Sequence, residues 1–207
     1  MNKEQLKLKY PTERVLCVNN SSLESWETQN ANKVLALLNA IRFGGYMAYR
    51  YDAELNFDAK QVIPYVVLKH EDKYFVTKRI KGDERLVGGL SIAVGGHINP
   101  VDRVGTFDPE KVVLNCIYRE LDEETTVIKD DIKSMNFVTS FVDESSEVSR
   151  VHVCLLTLIE LNNNAIGIKE TDKLEGVWMS VGEIKEQYEK LEGWSKITFD
   201  LLEKEGA

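Results

Sequence analysis

From Gln61 onward the sequence alternates between strand-like and helix-like stretches, and this alternation constrains the fold more than any other feature. The runs QVIPYVVL (61–68) and YFVTKRI (74–80) lie on either side of the polar link HEDK, the pattern of a hairpin. Pro64 inside the first run predicts an edge strand or a bulge, because proline gives no hydrogen to a ladder. Gly88-Gly89 leads into LSIAV (90–94), which stops at Gly95-Gly96. Asp108-Pro109 then has the form of a helix start. Asp108 is a capping residue, and Pro109 suits the first helical position, where a missing N–H does no harm. The spacing predicts a helix from Pro109 to about Thr125. Strands are expected at 136–143 and 148–161, a turn at Asn162–Asn164 and a short strand at 176–181. Helices at 181–191 and 194–205 close the chain. Strands interleaved with helices build a mixed sheet covered by helices, an α/β or α+β sandwich.

Upstream, ERVLCVN (13–19) reads as a strand and KVLALLNAI (33–41) as a helix ended by Gly44-Gly45. Residues 1–57 are too few to hold a core of their own. They are expected to pack as an N-terminal extension on a main domain of residues 58–207. The apolar stretch Val151–Leu161 falls far short of the roughly 20 residues a membrane span requires, so no membrane partner is expected. The first ten residues lack the apolar core of a secretion signal, and a cytoplasmic protein is expected. Cys17, Cys116 and Cys154 are widely spaced and form no CxxC pair. They suggest reduced, buried thiols rather than a disulfide framework or a cysteine zinc site. With 26 Lys+Arg against 34 Asp+Glu, the net charge of -8 works against a nucleic-acid duplex as partner. Any phosphate must be handled locally.

The segment Arg119-Glu120-Leu121-Asp122-Glu123-Glu124-Thr125-Thr126-Val127 offers a local means. On a helix, Glu120, Glu123 and Glu124 fall within an arc of about 100°. Carboxylates this close repel one another, and a hard divalent cation removes the conflict. The same run also reads as a solvated acidic helix end, partly balanced by Arg119.

In register, Arg119, Glu120, Leu121, Glu123, Glu124 and Val127 resemble the signature of the Nudix hydrolase family, Gx5Ex7REUxEExGU, where U is a bulky aliphatic residue. Gly95-Gly96-His97 resembles the loop that opens the signature, and Val177-Trp178-Met179-Ser180 with Val181-Gly182-Glu183-Ile184 resembles the closing strand and helix. The resemblance covers about residues 58 to 205. It implies a Nudix-type α/β/α sandwich with a mixed β-sheet and an N-terminal extension. It also implies that Glu120, Glu123 and Glu124 bind Mg²⁺ or Mn²⁺, with the Gly96 carbonyl as a further ligand. Glu120 is alternatively a general base. Family members often add an acid from a later loop; Glu170 is the candidate here, with Glu175 and Glu144 as rivals. Of the basic run Lys78, Arg79, Lys81 and Arg85, the two arginines suit a bidentate grip on substrate phosphate, against the plainer reading of solvated charges. His97 is a candidate hydrogen-bonding group toward substrate, against a structural role. His70 and His152 read as structural or solvent-facing, and Trp178 as core.

Three departures from the signature stand out. Between Gly96 and Arg119 lie 22 residues (97–118) instead of 13, an insertion of 9. The upstream Glu, which in the family pairs with the signature Arg, falls at Lys111. Thr126 replaces the glycine that normally supplies a left-handed helix end. The resemblance implies a divalent-metal-dependent hydrolase of a diphosphate linkage in a nucleoside diphosphate joined to another moiety, a small-molecule nucleotide or other phosphate-containing substrate. Lys111 and Thr126 motivate the alternative of a Nudix-fold binding or regulatory module without turnover. The isopentenyl diphosphate isomerase branch is weaker, because no cysteine lies near Gly95-Gly96-His97. Oligomeric state is open, a homodimer among the options.

Overall fold

The computed structural model describes residues 1–27, 32–81, 87–169 and 171–205. In chain order the first half holds α1 (Lys3–Lys9), β1 (Arg14–Asn19), a 3-10 segment (Asn20–Glu27), α2 (Lys33–Gly44), β2 (Tyr46–Tyr49), α3 (Arg50–Ala53), β3 (Ala59–His70), β4 (Lys73–Arg79), β5 (Leu90–Ser91) and β6 (Val94–Gly95). A 3-10 turn (Pro100–Arg103) precedes α4 (Pro109–Glu124). There follow β7 (Ile132–Val142), α5 (Glu147–Arg150), β8 (His152–Leu161), β9 (Leu174–Ser180), α6 (Val181–Glu186) and α7 (Gly193–Glu205). The strands pair in the order β2-β1-β3-β4-β5, with β6 and β8 also on β3, β7 on β8 and β9 on β4. This is the mixed α/β class that the interleaving predicts.

Two compact units divide the chain: Met1–Pro64 with Gly96–Tyr118 and Phe137–Leu156, and Tyr65–Gly95 with Arg119–Asn136 and Thr157–Ala207. In the first, β1 pairs antiparallel with β2 from Arg14↔Tyr49 to Cys17↔Tyr46 and with β3 from Cys17↔Gln61 to Asn19↔Ala59. Val15, Cys17 and Ala53 are buried together, with Tyr46 and Ala48 packed on them. Helix α2 starts at Asn32, whose side chain accepts from the Leu35 N–H, and ends where the two glycines predict. At Gly45 a Cβ would lie 2.5 Å from the Ile41 carbonyl oxygen, so no other residue fits that close return.

In the second unit β3 and β4 form the expected hairpin, with Lys69↔Tyr74 and His70↔Lys73 in register. Glu71 at its turn is left-handed, with φ 53°. β4 pairs antiparallel with β9 from Lys73↔Ser180 to Arg79↔Leu174.

Several expectations are corrected. β3 lies inside the strand order, so of the two readings of Pro64, edge strand or bulge, the edge is excluded. Pro64 falls between the segment paired with β1 (59–61) and that paired with β6 (65–66), clear of both registers. The run 90–94 is two short strands, because β5 pairs with β4 while β6 pairs with β3. Residues 148–150 belong to α5, capped by Ser146, instead of opening β8. The helix expected over 181–191 stops at Glu186 and gives way to a 3-10 turn (Tyr188–Lys190).

Candidate active site

Helix α4 forms as its cap and apolar spacing dictate. Asp108 Oδ1 accepts from the Glu110 N–H at 3.1 Å. Val112, Val113, Cys116, Ile117 and Leu121 are buried, the i, i+4 and i, i+5 spacing of one helical stripe. Glu120 lies four residues after Cys116 and three after Ile117, so the stripe carries its carboxylate to the buried side, where the residue is 9% exposed. Glu123 lies beyond the edge of the stripe, and 56% of its side chain is exposed. The last turn thus presents carboxylates in unlike environments.

Arg119 joins two of them. Its Nη1 lies 2.7 Å from Glu120 Oε1 and 3.3 Å from Glu123 Oε2. A guanidinium keeps its charge at any ordinary pH, so the contact permanently offsets part of the repulsion within the turn. Arg119 is therefore held in part by acids of its own helix, which answers the absence of a glutamate at Lys111. An ion pair already made to one oxygen of each residue leaves a net negative, oxygen-only donor set, which fits a hard divalent cation.

The helix exit explains Thr126. Thr125 is buried, and its hydroxyl donates to the Leu121 carbonyl at 2.7 Å. Thr126 donates its N–H to the Gly167 carbonyl and accepts the Gly167 N–H on Oγ1, both at 2.9 Å. Thr125 bridges to Ile168, and the Lys169 N–H donates to the Glu124 carbonyl at 2.8 Å. Lys169 Nζ further bonds the carbonyl and carboxylate of Asp122. Among the described non-glycine residues Glu71 alone has positive φ. A β-branched residue therefore fits the exit: the chain leaves the helix through hydrogen bonds to residues 167–169, and no left-handed residue is needed.

The remaining sequence candidates are dispersed. Gly96 follows β6 and belongs to the first unit, whereas Arg119, Glu120, Glu123 and Glu124 belong to the second. Arg79, at the end of β4, points Nη2 at Glu192 Oε1 at 3.6 Å. Arg85 and Glu170 lie outside the described residues. Of Glu170's rivals, Glu144 is engaged by Lys60 at 2.6 Å and Arg150 at 3.3 Å, and Glu175 lies on β9 opposite Lys78. Trp178 is half-buried instead of core, its indole N–H donating to the Asn164 carbonyl at 2.9 Å. His97 is not a lone histidine: its Nε2 lies 3.3 Å from Nε2 of His152, and Glu54 joins the pair. Sequence reasoning missed this cluster. Positions 54, 97 and 152 share no spacing that signals it.

A model of the NUDIX domain matches residues 60–202, and the chain belongs to that family. Protein YmaB of Bacillus subtilis (strain 168) is 36% identical over 159 residues, spanning 74% of this chain and 76% of that protein. The crystal structure of Tm1382, a Nudix hydrolase candidate, is similar with a TM-score of 0.76 at 28% identity, covering 92% of this chain and 98% of that one. A bifunctional NMN adenylyltransferase/ADP ribose pyrophosphatase from Francisella tularensis, complexed with AMP and a manganese ion, shares the fold with a TM-score of 0.52 at 15% identity. That likeness covers 72% of this chain and 42% of that one. Family and fold support an activity of the pyrophosphohydrolase type, on phosphoanhydride bonds. Among the described residues, no helix is long and apolar enough to cross a membrane.

Proposed function

We propose that this chain is a divalent-metal-dependent pyrophosphohydrolase that cleaves a diphosphate linkage in a nucleoside diphosphate joined to another moiety. The observation that carries this reading is the last turn of α4, where Arg119 fixes one oxygen each of Glu120 and Glu123. Glu120, Glu123 and Glu124 hold Mg²⁺ or Mn²⁺. Bound there, the cation supplies charge neutralisation on the diphosphate, a more acidic bound water and stabilisation of the leaving phosphate. Glu120, partly buried and anchored by Arg119, is placed to keep one orientation as ligand or as general base. Arg79 and Arg85 take the substrate's phosphates. The contact from Arg79 to Glu192 is long, at 3.6 Å, and partly solvated, so giving it up costs little. Glu170 supplies the later-loop acid; in support, its neighbour Lys169 is tied to the Glu124 carbonyl. The three cysteines are buried free thiols, which supports a reducing cytoplasm as the working compartment.

The test is turnover of a panel of nucleoside diphosphate derivatives with Mg²⁺ or Mn²⁺. ADP ribose goes first, because it is the named substrate of the Francisella relative. Product should form with at least one member and disappear in Glu123→Gln and Glu124→Gln. Unchanged turnover in both variants would overturn the mechanism. Calorimetric binding of nucleotide with no metal-dependent product would instead establish the module without turnover.

A further inference from the structure

Glu54, His97 and His152 bring a different ligand chemistry together within the first unit. Their donor atoms all lie within 4.8 Å of one another. Each is held by its own surroundings. Glu54 ends α3, its backbone N–H bonded to the Arg50 carbonyl and its Oε1 taken by Arg50 Nε at 3.2 Å. The backbone around His97 is fixed at Ile98, whose carbonyl accepts the Leu16 N–H at 2.9 Å, and the His97 carbonyl receives the thiol of buried Cys116, which corrects the expectation that no cysteine lies near Gly95-Gly96-His97. His152 opens β8 with only 7% of its surface exposed, directly after Val151, whose carbonyl accepts the Gln61 N–H.

The hydrogen bonds of His152 define which of its nitrogens is a ligand. Nδ1 lies 2.6 Å from the Val148 carbonyl oxygen, which can only accept, so Nδ1 carries the proton. Nε2 then presents its lone pair toward Nε2 of His97. A backbone carbonyl holding the far N–H of an imidazole is the usual outer support of a metal-binding histidine.

Distance and donor type are both compatible with a cation. On a tetrahedral centre with metal–nitrogen bonds of about 2.0–2.1 Å, two imidazole nitrogens sit about 3.3–3.4 Å apart. The two Nε2 atoms are 3.3 Å apart. Imidazole suits Zn²⁺ and its transition-metal neighbours, whereas Mg²⁺ takes oxygen. The nearby positive charges are already paired: Arg50 with Glu13 and Glu54, Lys60 with Glu144.

We propose that Glu54, His97 and His152 form a site for a Zn²⁺-class divalent cation, bound by two imidazole nitrogens and one carboxylate oxygen with water at the fourth position. His97 is then a metal ligand, a role that differs from both readings of the sequence, a hydrogen-bonding group toward substrate and a structural histidine. Without metal, His97 Nε2–H donates to His152 Nε2; on binding, the His97 proton moves to Nδ1, leaving both Nε2 lone pairs on the cation. The site shares no side-chain ligand with the carboxylate turn of α4, so the failure of either assignment leaves the other standing.

The test uses the full chain, stripped of metal with a chelator and labelled with ¹⁵N at its 3 histidines. One equivalent of Zn²⁺ should shift the Nε2 resonances of His97 and His152 and leave His70 unmoved. Glu54→Gln should weaken Zn²⁺ binding by at least about 10-fold and His97→Gln by at least about 100-fold, given that even outer partners cost about 10- to 100-fold. Glu123→Gln should retain the imidazole response. Resonances of His97 and His152 that ignore stoichiometric Zn²⁺ would overturn the site, as would unchanged affinity in Glu54→Gln, which tests it even if His97→Gln fails to fold. Loss of the response in Glu123→Gln would overturn it too, by placing the metal on α4.

Discussion

The acidic turn of α4 and the cluster of Glu54, His97 and His152 each gather three metal-competent side chains, but by opposite routes. The turn takes its acids from one stretch of chain, at helical spacing, and steadies them with the adjacent Arg119. The cluster takes its members from the end of α3, the segment after β6 and the start of β8, and steadies them with backbone carbonyls and packing. A site written into one helical turn tolerates partial exposure, because helix geometry alone keeps its members together. A site assembled from distant segments exists only as far as the surrounding core does, and its three members are all buried or half-buried, whereas Glu123 of the turn is exposed.

The largest expected effect that separates them is on turnover. Glu123→Gln or Glu124→Gln should lower it by at least about 100-fold while the chain keeps its melting temperature, since a helical turn does not need these carboxylates to form. A large fall in melting temperature measured by circular dichroism would show that the turn depends on its acids for folding.

Next in size is Arg119→Ala. Glu120 and Arg119 side chains are 12% and 19% exposed, so removing the guanidinium leaves a poorly solvated carboxylate without that partner. The cost should be about 1–3 kcal/mol in urea unfolding, and Mg²⁺ should restore part of it by taking over the neutralising role. Equal loss with and without Mg²⁺ would separate the arginine from the metal site. Smaller again, Thr126→Val removes the Oγ1 acceptor of the Gly167 N–H and should cost about 1 kcal/mol by the same measurement. No loss would mean that the exit of α4 does not depend on the hydroxyl.

The smallest effect is an expected lack of reaction. Burial pushes the Cys17 thiol up to about 12 and raises Cys154 as well, so thiolate forms only far above neutral pH. Native chain at pH 8 should leave both unalkylated by iodoacetamide, with labelling appearing on unfolding. The ligand chemistry of the first unit would then rest on imidazole and carboxylate, as the cluster requires. Rapid native labelling at either cysteine would show that its thiol is reachable from solvent in the folded chain.

Sequence made the helix legible because its signals are local. A capping aspartate, a proline at the first position and a repeating stripe fall within one segment of α4, and the carboxylates inherit their geometry from it. The hairpin of β3 and β4 was readable for the same reason. Elements with little local signal were not. Helix α1 buries only Leu6, so its seven residues show no stripe, although Asn2 and Gln5 cap each other. β2 has four residues with no alternation of burial. The run 90–94 is apolar but for Ser91, and only its change of partner divides it. The burial of Glu120 follows from its place on the stripe, yet the partners of Arg119 are set by how its long side chain folds back along the turn. The histidine cluster was illegible outright, because three positions 43 and 55 residues apart meet only once the strands have paired.

The reciprocal bonds between Thr126 and Gly167, with Lys169 on Glu124 and Asp122, have a dynamic consequence. Two segments that exchange donors and acceptors behave as a latch: neither frays without releasing the other. The last turn of α4 and residues 167–169 therefore share one opening free energy. Whatever rigidifies the carboxylates reaches the segment leading to Glu170 through backbone amides, and fluctuation in that segment feeds back on the spacing of the acids.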